Sequence, residues 1–95
     1  MNRENTNTAI ITVVGRDKVG IIAAVSAFLT ERGINIEDIS QTILSGNFVM
    51  MMSVDTGSAA ASLADINAEL QQVGEKLGVS VSMMHEKVFG AMHRI

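Results

Sequence analysis

The stretch from Thr12 to Ile22 holds the residues whose types and spacing best suit binding chemistry. An apolar run meets Gly15, crosses the charged trio Arg16, Asp17 and Lys18, and reopens as an amphipathic segment after Gly20. This pattern predicts a strand that breaks at Gly15, where glycine reaches backbone angles that other residues avoid. Asp17 is suited to cap the following helix, since its carboxylate can accept a hydrogen bond from an early helical N–H. Gly20 has no Cβ, so a ligand or a second backbone can come close. The N–H groups of Gly20, Ile21 and Ile22 are then first-turn donors without intrahelical partners, at the positive end of the helix dipole. A carboxylate or phosphate fits such a place. The structural alternative for Asp17 and Gly20 is a cap and a tight turn that bind nothing.

Other candidate groups are weaker. His85, His93 and Glu86 together suggest a metal site, but their spacing crosses a change from strand to helix period and fixes no geometry. Met50, Met51 and Met52 read as core and interface rather than as a thioether metal site, because methionine packs adaptably. Glu37 and Asp38 read as a solvated strand edge that discourages wrong pairing. No nucleophile is held beside a base and no pair of carboxylates marks a cleft, so no enzymatic activity is expected.

The totals narrow the class. At 95 residues, with 47% hydrophobic content, the chain is one domain with a modest core. A formal net charge of −3 gives no electrostatic reason to expect nucleic acid or an anionic membrane as partner. An aromatic content of 3%, without Trp or Tyr, lacks the stacking platforms of a single-strand binder. The absence of cysteine excludes disulfides and thiolate metal sites. The polar start lacks the apolar core of a secretory signal, and no apolar run spans a bilayer, so a cytoplasmic protein is expected.

The elements that must position the turn follow from periodicity. Residues 1–7 are polar and predict a loosely held arm. Thr8 to Gly15 suits a central strand. Ile21, Ile22, Val25, Phe28 and Leu29 recur at helical spacing until Gly33, whose left-handed conformation ends the helix. A second strand runs from Ile34 to Leu44, with its alternation shifted at Glu37-Asp38, which predicts a bulge. Ser45-Gly46-Asn47 is a hairpin turn, after which Phe48, Met50, Met52 and Val54 share one face of a third strand. A second helix follows, with Ser58 or Ser62 as cap, the latter in a weakened capping box with Asp65. Its stripe is Leu63, Ile66, Leu70, Val73 and Leu77; Gly74 weakens its last turn and Gly78 stops it. Val79, Val81 and Met83 alternate in a fourth strand, and residues 86–95 form a short helical tail. The order is βαββαβ, an α+β ferredoxin-like fold with an antiparallel sheet, two helices on one face and a short C-terminal helix. Val49 and Met51 make the other face too apolar for water, so a homodimer is expected, paired through sheet faces or sheet edges.

The turn from Gly15 to Ile22, followed after one helix by Gly33-Ile34-Asn35-Ile36, resembles the ACT-domain family. The likeness extends over residues 8–85, leaving 1–7 as arm and 86–95 as tail. Ile39-Ser40-Gln41-Thr42 and Val88-Phe89-Gly90-Ala91-Met92 resemble the small stand-alone ACT proteins of unassigned function. The resemblance implies a regulatory or sensor domain that binds a small molecule, often an amino acid, between the first turn of one chain and the second strand of its neighbour. By position the binding residues are Asp17, Lys18, Val19, Gly20, Ile21 and Ile22, faced by Asn35 and Ile36. Many members have Pro in place of Val19, and amino-acid binders often have Asn in place of Asp17. No cofactor or metal is implied. The alternative is a ligand-free interaction module that docks a partner protein through its Met-rich strand and its tail.

Overall fold

A computed structural model describes residues 7–16, 20–57 and 62–92. The expected arm at 1–6, Asp17 to Val19, the cap candidate Ser58 and His93 all lie outside the described residues. The elements are β1 (Thr8–Arg16), α1 (Ile21–Glu31), β2 (Asn35–Leu44), β3 (Asn47–Asp55), α2 (Leu63–Leu77), β4 (Ser80–His85) and α3 (Glu86–Met92). The strands form one antiparallel sheet in the order β2-β3-β1-β4.

One face of this sheet carries the core. Ala9, Ile11 and Val13 of β1 lie opposite Val54, Met52 and Met50 of β3, and Val81 and Met83 of β4 continue the same rows. All of these are buried, together with Ile21, Val25, Phe28 and Leu29 of α1 and Ile66 and Leu70 of α2. Each helix supplies apolar residues three or four apart, so a single stripe meets the sheet. Burying such side chains is worth roughly 1.5–3 kcal/mol apiece. Packing places α1 against β2 and α2 against β4.

The ends of the elements obey local chemistry. Gly33 (φ 74°) and Gly78 (φ 74°) follow the two long helices in the left-handed conformation, and the Ile34 N–H closes back on the Leu29 carbonyl at 2.9 Å. Ser62 caps α2, its Oγ accepting from the Asp65 N–H at 3.1 Å. Ser45 (φ 53°) and Gly46 (φ 81°) make the tight two-residue turn between β2 and β3. The expected bulge lies between Ile36 and Asp38. Asn7, read as part of a loose arm, is tied down: its carbonyl accepts from both the N–H (2.9 Å) and the Oγ (2.7 Å) of Thr56.

Two glycines act differently from expectation. The first strand does not break at Gly15 but runs on through Arg16, and a Cβ at Gly15 would stand 2.5 Å from the Val79 Cγ1. Gly74 does more than loosen the end of α2. A Cβ there would meet the Val81 Cγ2 at 2.8 Å and the Val79 carbonyl oxygen at 2.9 Å, so its absence lets helix and strand close together.

Candidate functional site

The end of the sheet where β1 stops and α1 starts is built from backbone. Gly20 occupies the N-cap position of α1 with φ 90° and ψ 0°, a left-handed conformation open to glycine and strained for a residue with a Cβ. Asp17 is therefore not the N-cap residue, contrary to the sequence expectation: the cap lies three residues later, at Gly20, and the helix begins at Ile21. Gly20 has no side chain with which to cap this end. The first helical bond runs from the Ala24 N–H to the Gly20 carbonyl at 2.9 Å. The N–H groups of Ile21, Ile22 and Ala23 thus precede the intrahelical ladder, at the positive end of the dipole. Ala23 was not picked out in the sequence; it enters because the cap is Gly20, which moves the donor set one residue along.

Space and polarity fit this reading. Gly20 is exposed, and a Cβ placed on it would have no neighbour among the described residues within 4 Å. Its role is thus set by backbone angle and not by a wall pressing on it. Ile21 points into the core at 2% exposure, whereas Ile22 is 38% exposed and adjoins the turn as an apolar surface. Arg16, at the exposed end of β1, places a cation on the same end of the sheet. Asp17, Lys18 and Val19 lie outside the described residues, so their part in the site rests on sequence.

Asn35 and Ile36 are at the other end. Asn35 shares a rung with Asp55 and Thr8, whereas Arg16 shares a rung with Asn47 and Leu44. Eight residues of β1 separate those rungs, which at strand rise is about 26 Å. Within one chain the structure does not bring Asn35 to Gly20. Asn35 is exposed and Ile36 half-buried, beside the bulge, where Glu37 is half-buried and Asp38 exposed.

The other candidates have structural roles. Met50 and Met52 are core, at 0% and 1% exposure. The His85 Nδ1 accepts the Lys87 N–H at 3.1 Å at the start of α3, so this nitrogen holds the helix end. No group of three or more His, Cys, Asp or Glu is placed to hold a metal among the described residues. No helix among the described residues is long and apolar enough to cross a membrane.

Comparison with known proteins agrees with this architecture. The sequence profile described as "ACT domain" matches residues 7–84. A UPF0237 protein of Methanopyrus kandleri is 49% identical over 87 residues, covering 92% of this chain and 97% of that protein. An ACT domain protein from Streptococcus pneumoniae superposes with a TM-score of 0.78 at 41% identity, covering 90% of this chain and 97% of that one. The ligand-free regulatory subunit of aspartate kinase from Thermus thermophilus gives a TM-score of 0.62 at 26% identity, over 83% of this chain and 51% of that one.

Proposed function

This chain belongs to the ACT-domain family, whose members are regulatory ligand-binding domains, and from that premise we propose that it is an amino-acid-binding regulatory protein acting as a homodimer. The observation that carries the proposal is the left-handed, exposed Gly20 at the N-cap of α1, with open space around it among the described residues. The ligand carboxylate takes the first-turn N–H groups of Ile21, Ile22 and Ala23, in charge-assisted hydrogen bonds stronger than neutral ones. Its ammonium takes the Asn35 side chain of a second chain, with the Ile36 carbonyl beside it. Since Asn35 and Gly20 stand at opposite ends of one sheet, a two-residue clamp of this kind requires two chains, and each dimer holds two equivalent sites. Lys18 and Arg16 attract the anionic group. The likeness to a regulatory subunit of aspartate kinase supports a regulatory rather than a catalytic role.

A thermal-shift screen of the proteinogenic amino acids, followed by calorimetry on hits, tests the proposal. A ligand at one hundred times its Kd adds about 2.7 kcal/mol of stability, enough to move the transition by several degrees. Stabilisation by one or a few amino acids is expected; none by any of them counts against the reading. A second reading, a docking module without ligand, is favoured by α3, where Val88 and Met92 are 50% and 65% exposed. Loss of a captured partner protein on removing residues 86–95, with amino-acid binding absent, supports it instead.

A further inference from the structure

α3 is a helix with little of its own to hold it. It has seven residues, none of them buried, and only Phe89 among them is half-buried. Helices this short are marginal in water. Gly90 stands inside it, where a Cβ would meet nothing within 4 Å among the described residues. No close packing calls for that glycine, so it weakens the helix without return. Of the described elements, α3 packs only against β1 and β4.

What starts the helix is a side chain. β4 ends at His85 and α3 begins at Glu86, with no turn between them. The His85 Nδ1 accepts the Lys87 N–H at 3.1 Å, so His85 caps the second helical residue as a Ser, Asn or Asp would. Unlike those residues, its acceptor is also the atom that takes up a proton. A neutral imidazole has one donor and one acceptor nitrogen, and this hydrogen bond assigns the proton to Nε2. A protonated ring has two donors and offers the Lys87 N–H nothing. It also sets a positive charge at the positive end of the helix dipole.

We propose that His85 is a pH-operated latch on the C-terminal segment, holding α3 helical while the ring is neutral and releasing it when the ring is protonated. The sign follows from the bond. The capped helix admits only the neutral ring, whereas the released segment admits both forms, so acid shifts the population toward release. Histidine is the side chain that ordinarily changes charge between pH 5 and 8. The other charged groups at this end are Glu86 and Lys87 of α3, Asp55 of β3, on the rung of Thr8, and Asp65 of α2, two residues before the Asn67 that accepts from Met83. β1 contributes no titratable group between Thr8 and Gly15. Carboxylates and ammonium groups ordinarily keep their charge from pH 8 to about 5.5. Those neighbours tune where the imidazole titrates; the bond to Lys87 decides what its titration does.

The latch has a consequence for the surface. Val88 and Met92, 50% and 65% exposed, are four residues apart and form one apolar patch only while α3 is helical. The patch is therefore assembled at neutral pH and dispersed in acid, independently of any amino acid bound near Gly20.

NMR of the full chain tests this, following the Cα shifts of residues 87–92 and the ring signals of each histidine from pH 8 to 5.5. In the wild type the helical shifts are expected to fall along the same curve as the His85 ring, with the helical population ratio dropping roughly fivefold, the usual worth of a cap. His85→Asn keeps an acceptor that does not titrate, and should hold its helical shifts at both ends of the range. His85→Ala has no acceptor and should show the reduced helix already at pH 8. Both variants retain His93, so a loss caused by that residue persists in His85→Asn. Helical shifts that stay constant while the His85 ring titrates, a His85→Asn chain that loses them as the wild type does, or a His85→Ala chain as helical as the wild type at pH 8 would each overturn the proposal.

Discussion

Gly20 and Gly74 are both glycines in or beside a helix, yet they serve opposite purposes. At Gly20 the constraint is φ 90° with open space around it, so Gly20→Ala meets no atom but must hold a left-handed backbone. The expected cost is about 1 kcal/mol in urea denaturation, with loss of any amino-acid stabilisation because the new methyl stands in the open space by which a ligand reaches the first-turn donors. At Gly74 the backbone is helical and the constraint is space: Gly74→Ala pushes a methyl against Val81 and the Val79 carbonyl. Overpacking there should cost about 1–3 kcal/mol while leaving ligand binding intact in the folded fraction. The sequence marked Gly20 as a close-approach residue and Gly74 as a helix-weakening one. The periodicity around each was readable, but whether a glycine answers to angle or to proximity depends on what the fold brings alongside, and Val79 and Val81 come from a later strand. The placement of the cap at Gly20 rather than Asp17 was hidden for a related reason: several residues of one polar turn are chemically able to end a helix.

At the scale of elements, alternation and stripes were enough to order the strands and helices, because one buried face forces period two on β3 and β4 and a helical period on α1 and α2. The cap of α2 was readable as Ser58 or Ser62, and the structure sets it at Ser62, whose hydroxyl lies three residues before Asp65. Ser62→Ala is expected to lower stability by about 1 kcal/mol, seen as a lower urea midpoint at unchanged slope. What could not be read was how α2 meets the β4 edge of the sheet. Asn67 lies between Ile66 and Ala68 of α2 with no local signal, and only the fold sets its amide on the Met83 N–H of β4. Asn67→Ala should cost about 1–3 kcal/mol by leaving a part-buried donor unmatched. Hydrogen exchange would locate the effect, with faster exchange at Met83 and little change along β3.

At the scale of the molecule, the proposed site has two halves, the donors near Gly20 and the facing Asn35, which the family resemblance implied on two different chains and whose distance within one chain only the fold supplies. Antiparallel topology puts the end of β1 and the start of β2 at opposite ends of the sheet, so the proposed pair can hold one ligand only between two chains. The most direct test uses two defective chains. Gly20→Ala removes the donor half of both sites in its homodimer, and Asn35→Ala removes the facing half of both in its own. Each homodimer is expected to give no binding heat with the amino acid that stabilises the wild type. Co-expressed, the two variants form mixed dimers in which one site carries both substitutions and the other carries neither. The account predicts that isolated mixed dimers bind one ligand per two chains with wild-type affinity. Mixed dimers as inert as either parent, or an Asn35→Ala homodimer that binds like wild type, would contradict it.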